Sequence, residues 1–91
     1  MATKKTAAGT KHRQAFGRRI RELRLERDHS QEKLAELSGL HRNYVGGVER
    51  GEINLSLENI HALAHGLRVD VAELFVDGKK KLSAARATRK S

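Results

Sequence analysis

Apolar positions recur at helical spacing through the middle of the chain. Phe16, Ile20 and Leu23 fall at i, i+4 and i+7, which predicts one buried stripe on a helix over residues 12–27. Leu25 lies off that stripe and is not explained by it. Asp28-His29 interrupts the pattern, and Ser30 is placed to N-cap a second helix. Glu32 in its first turn suits the positive end of the helix dipole. Leu34 and Leu37 are expected to face inward, and Gly39 ends the helix in the left-handed region. A third helix over residues 42–50 has Val45 and Val48 as its inward pair, with Tyr44 beside them. Gly51 stops it. After the loop GEINL, Ser56 caps a fourth helix with Leu57, Ile60, Leu63, Ala64 and Leu67 as its core stripe. Asp70 and Glu73 have capping-box spacing, which predicts a short fifth helix ending in Leu74-Phe75. No alternating apolar run is long enough for a strand. The fold class is therefore all-α, with five helices over residues 12–76. Phe16, Tyr44 and Phe75 are the only aromatic residues, so the core is small and aliphatic.

Within that frame, residues 30–51, SQEKLAELSGLHRNYVGGVERG, form two short helices joined by a glycine turn. This is the layout of a helix-turn-helix unit. Such a unit lays its second helix in the DNA major groove, with the N-terminal residues at the base edges. Gly46 and Gly47 then need a reason, because each costs about 1 kcal/mol relative to alanine in a helix interior. With Val45 and Val48 inward, Arg42, Asn43, Gly46 and Gly47 are expected to point largely away from the core. A helix without side chains at that place can approach a base methyl or a sugar closely. The alternative is that the glycines accommodate a neighbouring helix or mark a local bend.

Charge changes the picture less than its sum suggests. The net charge is +8, and the sequence pI is about 10.5. A polyanionic partner follows from that balance, either nucleic acid or an anionic membrane surface. The ends hold most of the excess. Lys4, Lys5, Lys11 and Arg13 occupy the first 13 residues with no acid. Residues 77–91 hold six Lys/Arg against Asp77. The segment between has nine Lys/Arg and ten Asp/Glu. The expected organisation is a basic disordered arm at residues 1–11, the helical domain at 12–76 and a basic disordered tail at 77–91. The tails serve nonspecific attraction to DNA or solubility.

The helix-turn-helix stretch resembles the DNA-binding domains of phage repressors and Cro proteins, the XRE family. Gln31 opens the motif, Ala35 is the small residue at the helix crossing, and Gly39 is the turn. Val45 and Val48 match the inward positions, ERGE at residues 49–52 follows the recognition helix, and Ser56-Leu57 opens the next one. The resemblance spans about residues 16–75. Within the family, HRNYVGGVERGEINLSL is most similar to short controller proteins of restriction–modification systems. The resemblance implies base contacts from Arg42 and Asn43, to which the close approach argued above adds Gly46 and Gly47. Arginine on guanine and asparagine on adenine are the favoured pairings, and a plain phosphate contact is the alternative for Arg42. It also implies phosphate contacts from Gln31, Arg50 and Asn54. Tyr44 either donates its hydroxyl to phosphate or covers the core edge. Glu49 is expected to pair with a neighbouring arginine. Asp28-His29, Ile53 and Arg68 depart from the family pattern, and the end of the fourth helix is expected to be irregular.

Val69, Val71, Leu74 and Phe75 crowd the last helix with more apolar surface than a small core can take. An exposed remainder marks an interface, and the family also pairs near this end, so a symmetric homodimer is expected there. Other chemistries recede. There is no cysteine, and no apolar run reaches the roughly 18 residues of a membrane span. The N-terminus lacks the apolar stretch of a secretory signal. His61 and His65 have i, i+4 spacing, but Ala62 stands where a zinc protease carries glutamate. No nucleophile elbow or phosphate loop is present. Neither metal nor cofactor is expected. The expectation is a cytoplasmic, nucleoid-associated regulator of bacterial or phage origin that binds double-stranded DNA and is not an enzyme. An antitoxin that represses its own operon is the nearest alternative. A nucleoid-like protein without sequence preference is the alternative of another class. A toxin or an RNA polymerase subunit is a further partner the resemblance allows.

Overall fold

The computed structural model describes residues 7–76. The predicted C-terminal tail and residues 1–6 of the predicted arm lie outside that range. Four α-helices and a 3-10 turn follow in order: α1 over Ala7–Glu26, α2 over Gln31–Ser38, α3 over Arg42–Glu49, α4 over Leu57–Leu67, and the turn over Val71–Phe75.

Helix α1 starts at Ala7, five residues ahead of the expected His12. Ala7 and Ala8 favour helix, no proline interrupts, and the Thr10 hydroxyl accepts a bond from Arg13 Nη2 one turn on. Residues 7–11 are thus helix rather than part of an arm. The core gathers one stripe from each element. Phe16, Ile20 and Leu23 of α1 meet Leu34 and Ala35, Val45 and Val48, Leu63, Ala64 and Leu67, and Leu74. Leu37 and Leu57 do not join it. They are 38% and 67% exposed, and Leu34 and Ala35 of α2 and Leu63, Ala64 and Leu67 of α4 fill the core instead.

The starts of α2 and α4 follow the sequence closely. Ser30 Oγ accepts from Lys33 N at 2.9 Å, and Ser56 Oγ accepts from Asn59 N at 3.2 Å. Helix ends share one device. His29 N donates to Arg24 O, Leu40 N to Ala35 O, Glu52 N to Gly47 O, and Val69 N to Ala64 O. Each is the long bond of a Schellman motif, and the residue before each donor is left-handed: Asp28, Gly39, Gly51 and Arg68. The end of α4 is therefore regular, against expectation, although Arg68 occupies a site that suits glycine.

The fifth helix is a 3-10 turn. Asp70 makes no side-chain cap bond, and Glu73 N donates to Asp70 O three residues back. The Glu73 carboxylate meets Arg19 at 3.0 Å, which ties the turn to α1 instead of building a capping box. Arg27 closes the other end of the bundle, donating to the carbonyls of Leu23 and Leu67.

Candidate nucleic-acid interface

Two elements place the recognition helix. Gly17 of α1 lies against its C-terminal turn so closely that a Cβ there would sit 2.7 Å from Glu49 O and collide with Val48 O. Only glycine allows α1 and α3 this approach. Arg24, also on α1, then grips Glu49. Its Nε and Nη2 reach the two carboxylate oxygens at 2.6 and 2.9 Å, while Nη1 donates to His29 O. Both side chains are almost sealed from solvent. The expected partnership of Glu49 with an arginine is present, and Arg24 is that partner. Nothing in the hydrophobic pattern singles Arg24 out, since it stands between Leu23 and Leu25 among many cations.

Gln31 joins this pair. Its Nε2 donates to Glu49 Oε1 at 3.0 Å. The first residue of α2 is thereby fixed to the last residue of α3. Gln31 remains half-buried, with its Oε1 turned toward Gly46.

The glycine pair lies differently from expectation. Gly46 and Gly47 are buried. A Cβ at Gly46 would lie 3.1 Å from Arg50 Nη1 and 3.5 Å from Gln31 Oε1. A Cβ at Gly47 would lie 3.0 Å from Ile53 Cγ1. What covers them is not open solvent but mainly the chain that leaves α3 and folds back over it, joined at Gly46 by Gln31 of α2. The missing side chains give Arg50 and Ile53 a seat on the helix surface. The expectation of bare, outward-facing glycines is corrected in that respect.

Arg42 and Asn43 stand free at the N-terminus of α3. Both are exposed, and among the described residues Arg42 has one ion pair, a long contact of 3.6 Å to Glu32. Arg50 is 61% exposed and pairs with Glu52 at 3.1 Å. Asn54 is exposed in the following loop. Tyr44 is half-buried against the core, and its hydroxyl accepts a bond from Asn59 Nδ2 at 3.0 Å. That bond leaves the hydroxyl proton free to donate, so covering the core and offering a donor are compatible. Gln31, Arg42, Asn43, Arg50 and Asn54 thus come together around one helix, with Tyr44 at its flank.

The predicted interface residues divide. Leu74 is fully buried within its own chain and is not available to a partner. Val69 and Val71 are half-buried against the core. Phe75 is 62% exposed, with its ring 5.2 Å from that of Phe16.

A short helix pinned from behind and presenting polar side chains at its N-terminus defines a helix-turn-helix DNA-binding domain. The chain belongs to the helix-turn-helix family HTH_3, whose model matches residues 20–74, and with that family it is a DNA-binding transcriptional regulator rather than an enzyme. It is similar to the control protein C.BamHI of Bacillus amyloliquefaciens, 43% identical over 60 residues that cover 65% of this chain and 74% of the relative. Among solved structures it is similar to the restriction–modification controller protein C.AhdI from Aeromonas hydrophila. The identity is 57% and the TM-score 0.68, covering 69% of this chain and 96% of that one. The hypothetical transcription factor NHTF from Neisseria matches at 30% identity and a TM-score of 0.75, over 92% of this chain and 97% of its own. No helix among the described residues is long and apolar enough to cross a membrane.

Proposed function

We propose that this chain is a sequence-specific regulator of the restriction–modification controller type, which binds a pseudo-palindromic operator as a homodimer. The observation that carries the reading is the contrast between the two ends of α3. Its C-terminal end is locked to α1 and α2 through Glu49, Arg24 and Gln31. Its N-terminal end presents Arg42 and Asn43, exposed and almost unpaired. Rigid backing and free polar tips are what direct base readout requires, because a bidentate contact discriminates only if the side chain's root is fixed.

In this reading Arg42 and Asn43 reach base edges, while Arg50, Asn54 and the Tyr44 hydroxyl hold phosphates. Gln31 orients α3 and turns its remaining amide face to the backbone of the DNA. Gly46 and Gly47 act through what they seat, bringing the Arg50 guanidinium close against the helix. Similarity to C.BamHI and C.AhdI supports the controller assignment over an antitoxin. Dimerisation uses Phe75 with the exposed rims of Val69 and Val71; Leu74 takes no part.

The test is selection of bound duplexes from a random pool by gel shift, followed by sizing of the complex. Two related half-sites about 34–36 Å apart, occupied by two chains, are expected. Recovery of duplexes without a shared sequence would overturn the reading.

A further inference from the structure

Helix α1 does more than pack. It begins 13 residues ahead of the family match at Ile20. Its first turn carries no acid, and the first acidic residue of the whole chain is Glu22. Five cations of α1 precede it: Lys11, Arg13, Arg18, Arg19 and Arg21. Not all of them are spare. Arg19 is buried and bound to Glu22 and Glu73, and Arg13 is half-buried with its Nη2 on Thr10. Lys11, Arg18 and Arg21 are exposed and make no ion pair or hydrogen bond among the described residues.

Their spacing puts these three on one stripe. Lys11, Gln14, Arg18 and Arg21 follow at intervals of three, four and three, which share a helix face. Gln14 on that stripe fixes where the face lies. A Cβ at Gly51 would sit 2.7 Å from Gln14 Cγ and 2.9 Å from Gln14 Cα. Gly51 separates Arg50 from Glu52, Ile53 and Asn54, in the loop that leaves the recognition helix. The stripe therefore continues the surface that carries Arg50 and Asn54 past its outer edge.

We propose that Lys11, Arg18 and Arg21 form a second DNA-contacting surface, which grips phosphates flanking the half-site. The inference rests on the DNA-binding reading above and extends it from a recognition helix to a two-element footprint. Lys11 to Arg21 spans about 15 Å along the helix axis. One DNA strand presents about four phosphates over that length, enough for three cations.

The experiment uses the full chain with Lys11, Arg18 and Arg21 all replaced by glutamine. Wild type and variant are titrated across several salt concentrations on two duplexes carrying the selected operator. One is trimmed at the outer edges of the half-sites, and the other has ten further base pairs on each side. On the long duplex the variant should flatten the log–log salt slope by about 2–3 per bound chain, at about 0.9 per lost contact. Its affinity at moderate salt should fall at least tenfold. On the trimmed duplex wild type and variant should nearly coincide. Equal slopes on the long duplex would overturn the proposal. An equal loss on both duplexes would overturn the flanking placement. The three single replacements, each expected to remove about 0.9 from the slope, decide the matter if the triple variant does not fold. Wild type that binds cognate and random DNA alike would instead count against base reading by α3, while the slope difference still scores the stripe.

Discussion

Arg24 and Glu49 form a bidentate pair at 2.6 and 2.9 Å in a place almost closed to solvent, and this pair fixes the recognition helix. Its worth lies in position more than in net stability. Replacing a buried ion pair by apolar residues of similar volume is often neutral, whereas removing one partner strands a charge.

Glu49→Ala is therefore expected to destabilise the fold by about 3–5 kcal/mol. It leaves the Arg24 guanidinium with only His29 O and frees the Gln31 amide. Arg24→Met combined with Glu49→Leu should recover much of that loss, yet bind the operator more weakly, because Gln31 no longer has an anchor. Urea midpoints of the single and double variants, read beside their operator affinities, separate the two effects. A double variant as weak in urea as Glu49→Ala would count against this account.

The glycines sort themselves by what a methyl group would meet. Gly17→Ala drives Cβ into the carbonyls of Val48 and Glu49, which are backbone and cannot swing aside. A loss of about 1–3 kcal/mol is expected from such overpacking. Gly46→Ala meets the end of the flexible Arg50 side chain at 3.1 Å. Arg50 can retreat, and the helix gains up to about 1 kcal/mol in propensity. Thermal melts should thus rank Gly46→Ala near or above wild type and Gly17→Ala well below it, while operator affinity falls for both. Gly46→Ala that melts higher and binds as well as wild type would show that Arg50's seat is unimportant.

The residues themselves show why parts of this were legible in advance. Caps at Ser30 and Ser56, the left-handed Gly39, and the Val45–Val48 pair depend on local chemistry and spacing, which a sequence displays. The surroundings of Gly46 and Gly47 depend on the return of Arg50 and Ile53 over the helix, which no periodicity encodes. Arg24 was equally hidden, because its partner lies 25 residues away. The last turn misled for a related reason. Asp70 and Glu73 have the spacing of a cap, but Arg19, 54 residues from Glu73, claims the carboxylate. Leu37 and Leu57 match their helical stripes, yet stripe width is set by neighbouring elements and not by the helix itself.

Two helix ends are open to improvement. Arg68 and Asp28 take φ values of 61° and 55° at Schellman positions. A side chain there costs about 1–2 kcal/mol, less for aspartate. Arg68 recovers part through its charge at the C-terminus of α4, worth about 0.3–1 kcal/mol. Arg68→Gly should consequently raise stability by about 0.5–1 kcal/mol, and Asp28→Gly by less. Denaturant midpoints with unchanged m-values would bear this out; a loss on Arg68→Gly would mean that its side chain is held by more than the dipole.

Phe75 tests the dimer. Its ring is 62% exposed and touches Phe16, so an alanine there removes apolar surface from the rim and little from the core. Sedimentation at tens of micromolar should show wild type as a dimer and Phe75→Ala shifted toward monomer, with its melting temperature extrapolated to low concentration nearly unchanged. A monomeric wild type under these conditions would remove the two-fold argument and with it the palindromic operator.

The reading element itself is tested by discrimination, not by affinity. Arg42 is exposed, and the long contact to Glu32 holds it only weakly, so its loss leaves the fold intact. If it forms a bidentate contact with a base, Arg42→Ala should cost about 1–3 kcal/mol per half-site on the selected operator. It should cost far less on random DNA, where only a single cation is lost. Arg50→Gln provides the contrast. A phosphate contact weakens both duplexes by similar factors and lowers the salt slope by about 0.9. The quantity to compare is the cognate-to-random ratio for each variant at fixed salt. Arg42→Ala should collapse that ratio, and Arg50→Gln should leave it nearly where it was. The opposite pattern would place the reading element in the loop after α3, and Gly46 and Gly47 would then seat the reading side chain and not a phosphate clamp.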